Sequence, residues 1–185
     1  SIRMYRGKVI PELSKGVIII GLGQIGMKYD LQLDPLYHVY SHARAFSKHT
    51  EFHLLAAVDP DTQSREVFSN TYQAPAYNDL DVALLQHQPD VVVIASPTQF
   101  HEKILSEILE NINPMAILCE KPLSYDLNDS RKMVQKCREN GVALYVNYMR
   151  RSDKSSIKIK QMFDTGVIET PIKGIAWYSK GFIHN

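Results

Sequence analysis

Residues 17–26, Val-Ile-Ile-Ile-Gly-Leu-Gly-Gln-Ile-Gly, constrain the fold of this chain more than any other stretch. Four β-branched residues in an unbroken run mark a strand buried on both faces, as strands of parallel sheets are. They lead directly into glycines spaced G-x-G-x-x-G. Gly21 permits a tight turn, Gly23 lets backbone N–H groups approach a pyrophosphate, and Gly26 lets the next segment pack closely on the strand. Taken alone, the spacing also fits an ordinary strand-to-helix turn. A second strand over residues 52–58 ends at Asp59, where a carboxylate can accept hydrogen bonds from an adenosine ribose. Together the two features favour a nicotinamide dinucleotide site.

The rest of the chain alternates in the same way. Helices are predicted over 61–72, 79–86, 102–110 and 126–140, with Asp79 and Asp126 as caps and Gly141 as a stop. Apolar runs at 90–95, 115–119 and 142–146 read as strands, and 76–77 as a short edge strand. Strand–helix alternation at this spacing predicts right-handed βαβ units, hence an α/β fold with a doubly wound parallel sheet covered on both faces. At 185 residues, 44% hydrophobic and 22% charged, the chain has the composition of a soluble globular protein with one good core and part of a second. A net charge of +1 provides no attraction for nucleic acid or an anionic membrane. No window reaches membrane-spanning length. Cys119 and Cys137 lack a CxxC spacing and read as buried thiols of a reducing, cytoplasmic compartment. The seven histidines show no metal-ligand spacing.

Two regions break the pattern. From Gly26 to Asp59 is 33 residues, where about 20 are expected between fingerprint and acidic residue. Pro35 forbids one continuous helix across 27–40, so the surplus is either a tolerated surface loop or a lid near the cleft mouth. The other break is the end of the chain. A helix over 152–163, a stop at Gly166 and a strand over 172–183 cannot cover both faces of a sheet. The expected domains are an N-terminal extension (1–15), a dinucleotide-binding domain (16–148) and the beginning of an incomplete α/β second domain (149–185).

Glu120-Lys121-Pro122 follows a buried strand at the carboxyl edge, where open α/β sheets bind ligands. A lysine there can donate a hydrogen bond or handle a proton; it can also be a plain surface residue. His101, opening a helix beside Ser96-Pro97-Thr98, has a packing alternative as well, because no orienting partner is identifiable.

The ordered set of Gly21-x-Gly23-x-x-Gly26, Asp59-Pro60, Ser96-Pro97-Thr98 with His101, Cys119-Glu-Lys-Pro-Leu-Ser124 and Asn147-Tyr-Met-Arg-Arg151 closely resembles the Gfo/Idh/MocA oxidoreductases. The E-K-P motif in register with the fingerprint is the specific part, and the resemblance runs from about Gly16 onward. It implies a Rossmann NAD(P)-binding fold and hydride transfer between a nicotinamide cofactor and a sugar, cyclitol or sugar-nucleotide hydroxyl. Cofactor contacts are implied for Gly21, Gly23, Gln24, Ile25 and Gly26 at the pyrophosphate, and for Asp59 at the ribose. Ser96, Pro97, Thr98, His101 and Glu120 are implied for the nicotinamide half. Lys121 is implied as the catalytic, substrate-contacting lysine in a cis Lys–Pro unit, with Asn147 and one of Arg150 and Arg151 near the substrate. No metal is implied.

NAD is expected over NADP, because Asp59 and Asp61 would repel a 2′-phosphate; Arg65 is the nearby residue that could reverse this. The family's further motif, Asp or Asn followed four residues later by His, would fall beyond Asn185. The chain alone is therefore expected to be inactive and to self-associate through the 172–183 strand, as part of a homo-oligomer. Two alternatives remain open: a non-catalytic dinucleotide-binding regulatory or scaffold protein, and a lyase or glycosidase that uses transient oxidation.

Overall fold

The computed structural model describes residues 2–5, 8–11, 14–169, 173 and 175. The chain opens with an antiparallel pair, β1 (Ile2–Tyr5) and β2 (Lys8–Pro11), in the segment expected only as an extension. Then comes one parallel sheet of six strands: β3 (Lys15–Ile20), β4 (Phe52–Val58), β5 (Ala76–Tyr77), β6 (Val91–Ile94), β7 (Ala116–Cys119) and β8 (Ala143–Val146). The spatial order is β5-β4-β3-β6-β7-β8. The chain moves outward from β3 through β4 and β5, then returns to the other side of β3 to lay down β6. The carboxyl ends of β3 and β6 therefore flank the point where the winding reverses, which is where a crevice opens in sheets of this kind.

The run of β-branched residues in β3 is buried because both faces are covered. Ile18 and Ile20 point into a core with Leu80 and Leu84 of α3 (Leu80–Gln86), Leu105 and Ile108 of α4 (His101–Asn111), and Met133 and Cys137 of α5 (Leu127–Glu139). Val17 and Ile19 point the other way, toward Ala43 of α1 (His42–Lys48) and Phe68 and Tyr72 of α2 (Thr62–Tyr72). Side chains of this size contribute about 1.5–3 kcal/mol each when fully buried. The helices start where acidic or hydroxyl side chains accept their free N–H groups: Ser41, Asp61, Asp79 and Asp126 cap α1, α2, α3 and α5.

Coverage of both faces does not extend to the far edge. In β8, Leu144 and Val146 are half-buried while Ala143 is exposed and Tyr145 is 61% exposed. Its apolar run reads as a doubly buried strand, but an edge strand has one neighbour and, among the described residues, one covered face.

The surplus after the fingerprint has a definite construction. In an uninterrupted helix the carbonyls of Ile25 and Gly26 would take the N–H groups of residues 29 and 30. Here they take His42 and Ala43, each at 2.9 Å and thirteen positions later. The turn after Gly23 is thus followed by a thirteen-residue excursion, after which α1 takes up its free carbonyls. Removing those thirteen residues brings the Gly26–Asp59 separation from 33 to 20, the usual value.

Asp30, which has no exposed surface, closes the neck of the excursion. Its carboxylate accepts from the Tyr40 N–H (2.6 Å), the Ser41 N–H (2.8 Å) and the Ser41 hydroxyl (2.7 Å). Arg44 lies 3.7 Å from it and donates to the carbonyls of Leu33 and His38.

The chain divides into two units, 1–147 and 148–185. The second holds a 3-10 helix, Met149–Ser152, and α6 (Lys154–Asp164), capped by Asp153 and ended by Gly166 at φ +73°. The strand expected over 172–183 falls, apart from 173 and 175, outside the described residues. Among the described residues no helix is long and apolar enough to cross a membrane.

Candidate functional site

The fingerprint loop packs directly on the end of β6. Gly21 has φ +96°, and a Cβ there would lie 2.6 Å from the Ser96 nitrogen and 2.7 Å from the Ala95 carbonyl. A Cβ on Gly26 would meet the Gly21 carbonyl oxygen at 2.0 Å. Neither position admits a side chain, and both exclusions come from the protein's own backbone. Gly23 differs: a Cβ there would meet nothing within 4 Å. The fold does not need a glycine at 23, so the space it leaves is free for a ligand to approach the backbone. Gln24 is exposed beside it, while Ile25 is half-buried against the core beneath.

Asp59 stands at the end of β4, adjacent to this loop. Its Oδ2 accepts the Leu22 N–H at 2.6 Å and its Oδ1 accepts the Asp61 N–H at 2.8 Å, leaving lone pairs on both oxygens. The Arg65 guanidinium is committed to its own turn. It donates to the carbonyls of Asp59 and Pro60 at 2.8 Å and to Thr62 Oγ1 at 3.0 Å.

Across the crevice, Ser96 follows β6, and its hydroxyl oxygen is buried without a hydrogen-bond partner among the described residues. An orphaned buried hydroxyl calls for an explanation, and a ligand is one. Pro97 is exposed, and Thr98 opens a 3-10 helix, Thr98–Phe100. His101 lies behind this loop, fully buried. Its Nε2 is 2.9 Å from the Ser96 carbonyl, and its Nδ1 is 3.2 Å from the Leu123 carbonyl and 3.3 Å from Cys119 Sγ. With Nε2–H donated to Ser96, a neutral ring leaves Nδ1 to accept from the Cys119 thiol. Burial, with the nearby Glu120 charge, pushes that thiol up to about 12. His101 thus fastens the loops after β6 and β7 from beneath, the packing alternative, and offers no ring edge to the crevice.

Glu120 and Lys121 follow β7, and the Lys121–Pro122 peptide is cis. Lys121 is exposed and Glu120 is 8% exposed. Glu120 Oε1 accepts from His42 Nε2 at 2.8 Å and from Asn147 Nδ2 at 2.6 Å; among the described residues Oε2 receives only the Lys121 N–H, at 3.3 Å. Burial pushes the Glu120 carboxyl up, but the hydrogen bonds from His42 and Asn147 outweigh it and hold the group below its ordinary range. Glu120 is therefore an ionised, nearly dry carboxylate with one oxygen fully committed and the other largely available.

Sequence reasoning names Glu120 as a cofactor contact and Asn147 as a substrate contact, not the hydrogen bond between them, and it misses His42. That residue stands 78 positions from Glu120, and no local pattern links them. Arg150 and Arg151 lie in the 3-10 helix of the second unit, both exposed.

The parts that suit a dinucleotide are therefore an open backbone cradle at Gly23, an acidic residue after the second strand of the sheet, and an unpartnered buried hydroxyl across the crevice. Residues 15–148 match a family model described as an oxidoreductase family with an NAD-binding Rossmann fold. Inositol 2-dehydrogenase 1 of Mycolicibacterium vanbaalenii is 32% identical over 159 residues, covering 85% of this chain and 42% of that protein. The crystal structure of myo-inositol 2-dehydrogenase from Lactobacillus plantarum matches with a TM-score of 0.70 at 25% identity, over 84% of this chain and 42% of that one. The scyllo-inositol dehydrogenase of Lactobacillus casei, solved with bound NAD(H) and scyllo-inositol, shares the fold with a TM-score of 0.70 at 23% identity, over 84% and 42% of the two chains. The chain spans about two-fifths of the length of these relatives.

Proposed function

The chain belongs to the Gfo/Idh/MocA oxidoreductase family, and we propose that it provides the NAD-binding half of a dehydrogenase acting on a hydroxyl carbon of a cyclitol, sugar or sugar nucleotide. The observation that carries this reading is the coincidence, at the reversal point of the sheet, of the open cradle at Gly23 and the orphaned Ser96 hydroxyl. A pyrophosphate fits the N–H groups of residues 23–26, because Gly23 lets it approach the backbone there.

NAD is favoured over NADP. The Asp59 carboxylate has lone pairs to accept from ribose hydroxyls and a charge that repels a 2′-phosphate. The Arg65 guanidinium beside that charge is held on backbone carbonyls. When bound, the cofactor supplies hydride acceptance and donation at its nicotinamide ring. The chain's own part is then to bind, orient and move a proton. Ser96 and Glu120 hold the nicotinamide end, Lys121 takes or returns the substrate hydroxyl proton, and Asn147 keeps Glu120 in place. The substrate class is supported by the inositol dehydrogenases among the relatives.

The test pairs NADH titration with a Lys121→Ala variant assayed on a panel of cyclitols and sugars in the protein carrying this chain. Turnover should fall by roughly 10²–10⁴-fold while NADH affinity changes little. Near-normal turnover in the variant would remove Lys121 from the chemistry.

A further inference from the structure

We infer that His42 is a positioning residue for the nicotinamide end of the site: it pins one oxygen of Glu120 so that the other is presented to the cofactor. This rests on the reading of the crevice as a dinucleotide site.

Glu120 sits at the carboxyl end of β7, and its backbone is fixed, since its N–H donates to the Ile94 carbonyl at 2.9 Å. Its side chain still has three rotatable bonds. Two donors from distant elements remove that freedom, both at Oε1: His42 from the first residue of α1, and Asn147 from just past β8. An ionised carboxylate only accepts, so the His42 Nε2 carries the hydrogen. With Oε1 saturated by two short bonds, the lone pairs that remain belong to Oε2, whose one contact among the described residues is long.

His42 is itself held from the other side. Its N–H is bonded to the Ile25 carbonyl in the fingerprint turn, and its neighbour Ser41 is clamped by the buried Asp30 at the neck of the excursion. One residue thus joins the pyrophosphate loop, the inserted segment and the E-K-P motif. A cofactor occupying the crevice would meet the first of these at its pyrophosphate and the last at its nicotinamide end. A charged hydrogen bond between groups 8% and 10% exposed at their side chains is strong, and deleting one partner leaves the carboxylate short of a donor.

The test compares NADH with ADP-ribose, which has the adenosine and pyrophosphate but no nicotinamide, on wild-type, His42→Ala and His42→Gln proteins. Glutamine is chosen because its amide nitrogen can replace the Nε2 donor. If the inference is right, His42→Ala binds NADH about tenfold more weakly, ADP-ribose within about twofold of wild type, and His42→Gln recovers most of the loss. Equal weakening of both ligands with a lowered melting temperature and no rescue by glutamine would make His42 merely structural and overturn the inference. Unchanged NADH affinity in His42→Ala would overturn it as well. Wild-type protein that binds neither ligand would bring down the dinucleotide reading, and this inference with it.

Discussion

The carbonyl of Gly26 accepts the N–H of Ala43 at 2.9 Å, the bond of residues one helical turn apart, although they stand seventeen positions apart in the chain. The excursion between them is spliced into a helix rather than appended to a loop. Deleting residues 29–41 should therefore rejoin α1 to the fingerprint turn in register, with His42 falling four positions after Ile25. The shortened chain should keep its helical circular dichroism and bind NADH. An unfolded product would show that the excursion carries part of the core.

Acid should loosen the neck of that excursion. Burial pushes the Asp30 carboxyl up, but the Ser41 hydroxyl, the N–H groups of Tyr40 and Ser41 and the Arg44 charge outweigh it and hold the group below its ordinary value. A carboxyl that binds protons less readily folded than unfolded contributes stability in full above the ordinary range near about pH 4. That contribution is lost as pH falls toward the lowered folded value. Asp30→Asn should be less stable than wild type at pH 7 by about 1–3 kcal/mol, and denaturant titrations should show the difference narrowing on acidification. A difference independent of pH would place the contribution elsewhere.

Both thiols should be inert in the folded protein. Cys119 and Cys137 are buried, and burial raises both, Cys119 to about 12, so almost no thiolate exists at neutral pH. A colorimetric disulfide reagent should register neither until denaturant is added. One equivalent reacting rapidly with folded protein would mean that the loop after β7 opens.

Much of this was legible in the sequence because the signals are local. The runs at Val17–Ile20 and Val91–Ile94 announced buried strands, and Asp79 and Asp126 announced helix starts, because a capping side chain bonds to N–H groups two or three residues on. The glycine spacing and the E-K-P motif both read as strand ends, and the structure has them after β3 and β7. The features that were not legible depend on partners far along the chain. The helix splice joins Gly26 to Ala43, and the site network joins His42 to Glu120, with nothing in either neighbourhood to pair them. His101 reads as a cofactor contact only through the family resemblance, while its place at a helix start leaves the packing alternative open. The Ser96 carbonyl and the Cys119 thiol that claim its ring have no sequence signature. The apolar run of β8 does not reveal that the strand lies at an edge.

Whether the crevice beside β3 takes a dinucleotide through the open cradle at Gly23 is decided by NADH titration of wild-type and Gly23→Ala proteins alongside their melting temperatures. A Cβ at 23 meets nothing within 4 Å among the described residues beyond its chain neighbours, so the variant should melt with wild type while its NADH affinity falls by about tenfold or more. Wild-type protein that does not bind NADH, or a Gly23→Ala variant that binds it as tightly as wild type, would contradict a dinucleotide held at that cradle.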